Sequence, residues 1–543
     1  MSLRAAPPKA PSPTPSSPVA LPPRVARAYA ALTGLIGIAV FLASAEIVAL
    51  FVGAPSSPLF AVGSAAIDFA PHGVKQIMVD LFSTGDKAAL FVLMGVILVV
   101  ICALAGIVEW KKSPWGRAIF LLGAALAAAA VLTRSGNGVI AVAPTVVGLV
   151  VTLLVFRRLI VRLLRWEAST AGVEFPTAFV PPMQTPVIER RAFLRFAIVA
   201  GAASAVLGTG ARLINATAVN AVALRAALKL PKAAVAEKAV PAGASLDVEG
   251  ITPYVVSNAD FYRIDTALTV PQIDPAKWTL KITGMVENPV EISFDELMKL
   301  PLVEHMATLS CVSNDVGGNL IGNALWLGYP IRDLLARAKP TAGADMVLSR
   351  SQDGFSAGTP LDVLQDEGTQ ALLAVGMNGV PLPLEHGFPV RMVVPGLFGY
   401  VSATKWVVSM EVTRFDKAEG YWTPRGWSER GPVKLESRID TPSNGYSVPA
   451  GVVPVAGVAW EPHTGVSKVE LKIDKDDWVE ATLADSVSAD TWRQWVYRWD
   501  APKGSHTIQV RATSATGKVQ PSTYRPPAPN GAEGWDQITV TVT

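Results

Sequence analysis

Cys311, in the stretch 305-HMATLSCVSNDVGGNLIGN-323, is one of only two cysteines in 543 residues. A thiolate is a strong nucleophile or a soft metal ligand. The second cysteine, Cys102, lies far off in an apolar run, so Cys311 has no partner for a disulfide within its own region. Free cysteines most often serve as small buried core residues, and only the surroundings of Cys311 can overturn that reading. Arg391 is the second anomaly. It stands in 389-PVRMVVP-395, a strand-like apolar run, where a buried guanidinium needs an anionic partner. His386, five positions earlier, would by itself more often be structural than functional.

The chain that must position these residues is neither ordinarily soluble nor wholly membrane-embedded. Hydrophobic residues make up 50% and charged residues 17%, with a mean hydropathy of +0.36. A formal net charge of +3 gives no footing for nucleic acid. Residues 1–27, rich in Pro, Ser and Ala at their start, are expected to be a disordered cytoplasmic N-terminus. Apolar runs follow at 28–53, 88–109, 118–133 and 138–156, and a weaker Ala/Gly-rich one at 193–213. Most approach the ~20 residues that a helix needs to cross a bilayer. With the N-terminus inside, fourteen lysines and arginines flank the inner ends against three outside (Lys75, Lys87, Arg134). That is the inside-positive bias of a multi-pass protein. Five spans then leave everything after residue 213 outside a bacterial cytoplasmic membrane.

The fifth run opens with 189-ERRAFLRFAIVAGAASAVLGTGA-211, in which Arg190-Arg191 precedes Phe193-Leu194-Arg195. This pattern resembles a twin-arginine export signal, here internal and expected to be retained as a span. Such export moves folded domains, commonly ones already carrying a cofactor. Residues 214–250 read as a linker with one short helix. From 251 to 432 the texture is α+β: 278-WTLKI-282 alternates like a half-buried strand and Ser293 to Glu296 has capping-box spacing. Short helices are predicted at 331–338 and 361–367. From 433 to 543, alternating β-branched stretches between turns predict an immunoglobulin-like β-sandwich.

Four landmarks in this order resemble the sulfite oxidase family of molybdopterin enzymes. They are 260-DFYRID-265, 278-WTLKITGMVENPVEISFDEL-297, Cys311 followed by Asn314, and 384-LEHGFPVRMVVPGLFGYVSATKW-406. The resemblance implies a molybdenum–molybdopterin cofactor with Cys311 as the thiolate ligand of the metal. It further implies that His386 and Arg391 contact the phosphate side of the pterin, and that Lys405 with the backbone of Ala403 and Thr404 completes that cradle. Tyr262 and Arg263 fall in the first cofactor-binding stretch. The sandwich corresponds to a domain through which such proteins form homodimers.

The chain also departs from the family. Sulfite-oxidising members carry an arginine shortly after the ligand cysteine, where this chain has Asp315 and Val316. Trp427 of 421-YWTPRGW-427 falls where an active-site tyrosine is expected, with Tyr421 close by, and 529-PNGAEGW-535 lacks the family's late arginine. A dianion therefore loses much of its binding site, unless Arg350, Arg425 or Arg430 replaces the missing charge. None of the five histidines (His72, His305, His386, His463, His506) lies in an expected span, so intramembrane haem ligation is not expected. Electrons would need a separate carrier, a cytochrome or a quinone-linked protein. The expectation is a membrane-anchored oxidoreductase transferring an oxygen atom to or from a small molecule. A sulfite dehydrogenase, a sulfoxide reductase and a non-catalytic binding module on a membrane scaffold are the alternatives.

Overall fold

The computed structural model describes residues 21–52, 56–69, 86–132, 139–171, 185–217, 220–267 and 269–543. The chain divides into two compact units, Met1–Ala218 and Val219–Thr543. Most of the N-terminus expected to be disordered lies outside the described residues, but Pro23 to Arg27 already belong to a helix.

The first unit is helical: α1 (Pro23–Val52), α2 (Pro58–Phe69), α3 (Asp86–Lys111), α4 (Trp115–Leu132), α5 (Ala143–Ala171) and α6 (Pro186–Thr217). Five of its helices are long and apolar enough to cross a membrane. Two run well past the expected spans. The fourth apolar run continues to Ala171 in α5, and α6 starts at Pro186, ahead of the Arg pair. The added turns carry arginines, which hydropathy discounts although they are good helix formers. Cys102 is explained here. Ala30 and Gly34 of α1 cross Cys102 and Gly106 of α3 so closely that a Cβ on either glycine would enter the facing backbone. Small residues permit that approach, and Cys102 is buried as one of them. Beside Ala30, Tyr29 packs ring to ring with Trp166 and Phe193, with Arg190 over the Trp166 ring.

The second unit begins with α7 (Ala221–Ala227). The segment expected as a linker is instead laid onto the unit. Ala234 donates to Leu302 O at 2.7 Å, Glu304 N to Val235 O at 2.9 Å, and Leu246 N to the Gln494 side chain at 2.6 Å. Its Ala/Lys/Pro composition hid this, because extended pairing through backbone groups leaves little side-chain pattern.

Two sheets frame the region that follows. One is β1 (Thr279–Gly284), β2 (Val290–Ser293), β5 (Met346–Ser351), β6 (Ser356–Pro360) and β10 (Val407–Thr413), in the order β2-β1-β10-β5-β6. Only the β1–β10 pairing is parallel. The other is β3 (Val303–Ser310), β4 (Ile321–Pro330), β7 (Leu372–Met377) and β8 (Val380–Pro381), with β9 (Arg391–Val393) beside β7. Every residue of β7 is buried, so it reads as an unbroken apolar run without alternation. Helices α8 (Phe294–Leu297), α9 (Ile331–Ala338) and α10 (Leu361–Gln365) occupy the predicted places, and the Ser293–Glu296 capping box is formed in both directions.

The sandwich packs β11 (Glu436–Thr441), β13 (Gly451–Trp460), β16 (Thr482–Leu483) and β17 (Arg493–Ala501) against β12 (Ser447–Val448), β14 (Val466–Ile473), β15 (Val479–Glu480), β18 (Gly504–Ser514) and β19 (Asp536–Val542). Strand β19 alternates strictly, burying Ile538, Val540 and Val542. The sandwich joins the preceding region through polar bonds. Asp490 accepts from His305 Nε2 at 2.9 Å and pairs with His463 Nδ1 at 2.8 Å, while Trp492 Nε1 donates to Tyr254 O at 2.9 Å.

A cofactor site between the two sheets

The residues singled out in the sequence lie on loops and strand ends of the β3–β4–β7 sheet and on the connection from β9 to β10 in the other sheet. Cys311 begins the β3–β4 connection, closed by Cys311 N donating to Leu320 O at 2.9 Å. Asn314 folds the loop, its Oδ1 accepting from Leu320 N at 2.7 Å. His386 ends a short turn before β9, Arg391 opens β9, and Lys405 lies between β9 and β10. Gly387 makes their meeting feasible. Its φ is +112°, and a Cβ there would stand 2.9 Å from the Arg391 Cβ and 3.3 Å from the Lys405 backbone. A side chain at 387 would therefore push the cations apart.

Cys311, Tyr262, Arg391, Ala403 and Lys405 line one cleft. Burial pushes the Cys311 thiol up, against the opposing pull of the Ser313 N–H and of Lys405. Ser313 N donates to Sγ at 3.4 Å. An elevated thiol is a poor nucleophile but a good ligand for a metal, which displaces the proton itself. Burial also raises the Tyr262 hydroxyl, with Cys311 adding to the rise.

Arg391 is buried. It donates to Met392 O at 3.2 Å and His386 O at 3.3 Å, and its guanidinium lies 5.0 Å from the Trp326 ring centre. Burial brings it down to about 10, so it stays charged at neutral pH. No carboxylate pairs with it among the described residues. Lys405 does have one: Nζ lies 3.0 Å from Asp265 Oδ2 and donates to Glu385 O at 3.0 Å. Burial foremost lowers Lys405 to about 8, partly offset by Asp265. His386 is held down to about 3 by burial and then by Lys405 and Arg391. It is neutral at working pH. Its Nε2 donates to Asn258 O at 3.1 Å, a tautomer assigned from the carbonyl partner, which leaves Nδ1 as an acceptor.

Of the remaining expected residues Ala403 also lines the cleft, whereas His386, Arg263 and Thr404 stand behind it. Arg263 does not line the cleft; it is 39% exposed and paired with Asp265 at 2.9 Å. The Thr404 hydroxyl bonds Ser349 at 2.7 Å and its carbonyl accepts from Met392 N, while Ala403 N donates to Gly399 O. The three arginines considered as replacements for lost charge are elsewhere. Arg350 faces Glu411, Arg425 stacks on the Tyr421 ring and Arg430 on the Phe415 ring. None of them lines the cleft. Asp315 accepts from Tyr524 in the sandwich.

Several lining residues were given no role in the sequence reading, Asp353, Tyr400 and Phe355 among them. Asp353, in a turn between β5 and β6, is half-buried; the loss of water raises its carboxyl, and neighbouring Asp265 raises it further. Tyr400 lines the cleft with its hydroxyl on Ser428 O at 2.8 Å, and burial lifts it to about 12. Phe355 completes an aromatic wall with Trp422 and Trp427. The Asp353-Gly354 pair marked a turn, but nothing local to it marked a site.

A molybdopterin fits what is present. It needs a soft ligand for the metal, cations for a phosphate and polar groups for a heterocycle. The cleft offers Cys311, the uncompensated Arg391 with Lys405, and the Asp353 carboxyl. Asn314 Nδ2 is moreover buried with no hydrogen-bond partner among the described residues, an orphan donor of the kind a bound group satisfies.

Comparison with known proteins agrees. The family described as "Oxidoreductase molybdopterin binding domain" matches residues 267–422, and "Bacterial Ig domain" matches 436–510. The chain is 28% identical over 321 residues to the mitochondrial sulfite oxidase of Rattus norvegicus, covering 50% of this chain and 58% of that one. It thus spans little more than half the length of that relative. It is 33% identical over 158 residues to the uncharacterized oxidoreductase YuiH of Bacillus subtilis, covering 29% of this chain and 76% of that one. The sulfane dehydrogenase SoxCD of Paracoccus pantotrophus superposes with a TM-score of 0.47 at 22% identity, over 53% of this chain and 81% of that one. With a cysteine and an unpaired buried arginine lining one cleft, and an orphan amide on the cysteine's own loop, all within the matched region, the chain belongs to the sulfite oxidase family of molybdopterin-dependent oxidoreductases.

Proposed function

We propose that this protein is a membrane-anchored molybdenum oxidoreductase that moves an oxygen atom to or from a small organic oxide outside the cytoplasmic membrane. One observation carries the choice of substrate. The cleft sets Cys311 against a wall of Phe355, Tyr400, Trp422 and Trp427, and its lining cations are Arg391 and Lys405 alone. Both have other work: Lys405 is neutralised by Asp265, and Arg391 faces the phosphate of the cofactor. Bound molybdenum supplies the two-electron oxygen-transfer chemistry. The chain's part is to hold the metal through Cys311, the phosphate side through Arg391 and Lys405, and the heterocycle through Asp353 and Tyr262, with His386 bracing the turn before Arg391 through Asn258. Asp315 and Val316 bring no cation to the substrate side, so a dianion finds little there. The apolar part of an S-oxide or N-oxide would lie on the tryptophans.

Steady-state kinetics with an artificial dye, comparing sulfite with a panel of S-oxides and N-oxides, tests this. One lost anion contact costs about 2.7–4 kcal/mol in a desolvated site. Sulfite is therefore expected to have a kcat/KM at least ~100-fold below the best oxide, tenfold per ~1.4 kcal/mol. Sulfite turnover near 10⁴–10⁸ M⁻¹s⁻¹, the usual range of about that size, would replace the reading with a sulfite dehydrogenase. Protein purified without molybdenum and pterin would point to a binding module.

The placement rests on five apolar helices, the inside-positive charge bias and the Arg190-Arg191 pair. A cytochrome or quinone-linked carrier would exchange the electrons, and the sandwich offers a surface for a homodimer. Substituting Arg190→Lys and Arg191→Lys together keeps the charge and removes the specific pair. The expected outcome is a second unit stranded inside while the first four spans insert. Protease protection on spheroplasts reads this out, and an unchanged external sandwich would reduce the pair to topological charge.

A further inference from the structure

The loop that carries Cys311 is held from two sides. On the near side Val312 is buried in the core of the two sheets. On the far side the loop meets the sandwich through Arg438 of β11. The Arg438 guanidinium uses all three nitrogens: Nε on Asp440 Oδ1 at 2.6 Å, Nη1 donating to Gly318 O at 2.8 Å and Nη2 to Thr252 Oγ1 at 2.9 Å. Asp440 in turn accepts from Thr252 N at 2.9 Å. Arg438 is 6% exposed. A buried ion pair of this kind is a poor source of net stability and is better read as fixing a geometry.

Its effect can be traced to the thiol. Gly318 N donates to Asp315 O at 2.8 Å, and two residues on, Leu320 pairs with both Asn314 and Cys311. Holding Gly318 therefore closes the turn whose first residue is Cys311. Gly317, at φ +73°, lies so close to Asp536 of β19 that a Cβ would come within 2.5 Å of its carboxylate. Asp536 Oδ2 also accepts from Ile439 N at 2.8 Å, next to Arg438. Tyr524 adds a bond to Asp315 but is 58% exposed, so the buried arginine carries the main restraint.

We propose that Arg438 is a positioning residue for Cys311, through which the sandwich fixes the thiolate ligand. This rests on Cys311 being the ligand, and the test separates the two ideas by probing the thiol in full-length protein without cofactor as well as with it. In cofactor-free protein in detergent, iodoacetamide modification of Cys311 is followed by peptide mass spectrometry, which distinguishes it from Cys102. Releasing the far side of the loop raises the population of open states from which the thiol reacts. Arg438→Met is expected to accelerate modification roughly tenfold or more. Arg438→Lys, which can keep Asp440 but not reach Gly318 as well, is expected to melt near the parent and still react faster.

Arg493→Met is the control. Arg493 donates only within the sandwich, to Ala484 O and Val466 O, and its loss should leave the Cys311 rate unchanged. In cofactor-loaded protein the Arg438 variants should keep pterin and molybdenum but shift the thiolate-to-metal charge-transfer absorption, with kcat falling more than KM. A folded Arg438→Lys whose Cys311 reacts at the parent rate would overturn the proposal, as would equal acceleration in Arg493→Met. Faster modification of Cys311 in the Arg438 variants, beside a parent protein that binds no molybdenum, would leave Arg438 as the loop's restraint and remove the ligand assignment alone.

Discussion

Cys311→Ser is expected to abolish turnover, by at least ~10³-fold or about 4 kcal/mol, while the protein melts within a few degrees of the parent. The two effects separate because the thiol does little for the fold. Its Sγ accepts one long bond, 3.4 Å from Ser313 N, and a hydroxyl of similar size can accept the same one. The chemistry does not transfer. A metal must displace the proton of its ligand, and a serine hydroxyl in this desolvated place holds its proton far more firmly than a thiol. Pterin should persist in the variant, since Arg391 and Lys405 are untouched. The measurements are dye-linked turnover, metal and pterin content, and the thiolate-to-metal absorption, which should vanish. A serine variant with normal turnover and unchanged absorption would remove Cys311 from the metal.

The residues that were legible in the sequence are those whose chemistry conflicts with their surroundings or that stand in a distinctive motif. An arginine inside PVRMVVP is costly where it stands, and such cost points to a bound anion; the lone cysteine costs nothing and was legible through the motif around it. Asp353 and Phe355 were not legible, because each sits in an unremarkable turn and only the fold brings it to the cleft, while Tyr400 lay inside the 384–406 landmark without a role of its own. The fate of Arg350, Arg425 and Arg430 was equally hidden. A charge on a surface loop reaches a pocket or a neighbouring ring according to side-chain packing, not spacing. Secondary structure followed the same division. The capping box, the short helices and the alternating β19 declared themselves locally. The segment after Ala227 looked like linker, since backbone pairing to Leu302 and Glu304 leaves no periodic mark. The spans were found by hydropathy but their ends were not, because α5 continues through arginines that hydropathy discounts.

Arg391→Met is expected to act with opposite signs on the empty and the loaded protein. In the absence of cofactor Arg391 is a buried cation whose hydrogen bonds go only to the carbonyls of Met392 and His386. Burial costs it enough to bring it down to about 10. Replacing a buried charge by an apolar side chain of similar volume is often neutral or stabilising, by about 1–4 kcal/mol. Methionine also keeps contact with Trp326. The cofactor-free variant should therefore melt at the parent temperature or up to several degrees above it, at roughly 2–4 °C per kcal/mol for a domain of this size. With the phosphate present the balance reverses, because a desolvated charge-assisted pair is lost and the anion is left buried. That costs about 2–5 kcal/mol, or roughly 30- to 4,000-fold in affinity. Pterin content at matched expression should fall accordingly, and Lys405 cannot compensate while Asp265 holds it at 3.0 Å. Thermal melting of protein from cells unable to make the pterin, beside pterin fluorescence of protein from normal cells, measures both halves. A variant that loses stability when empty yet retains its pterin would make Arg391 a structural cation that the Trp326 ring and the two carbonyls suffice to hold.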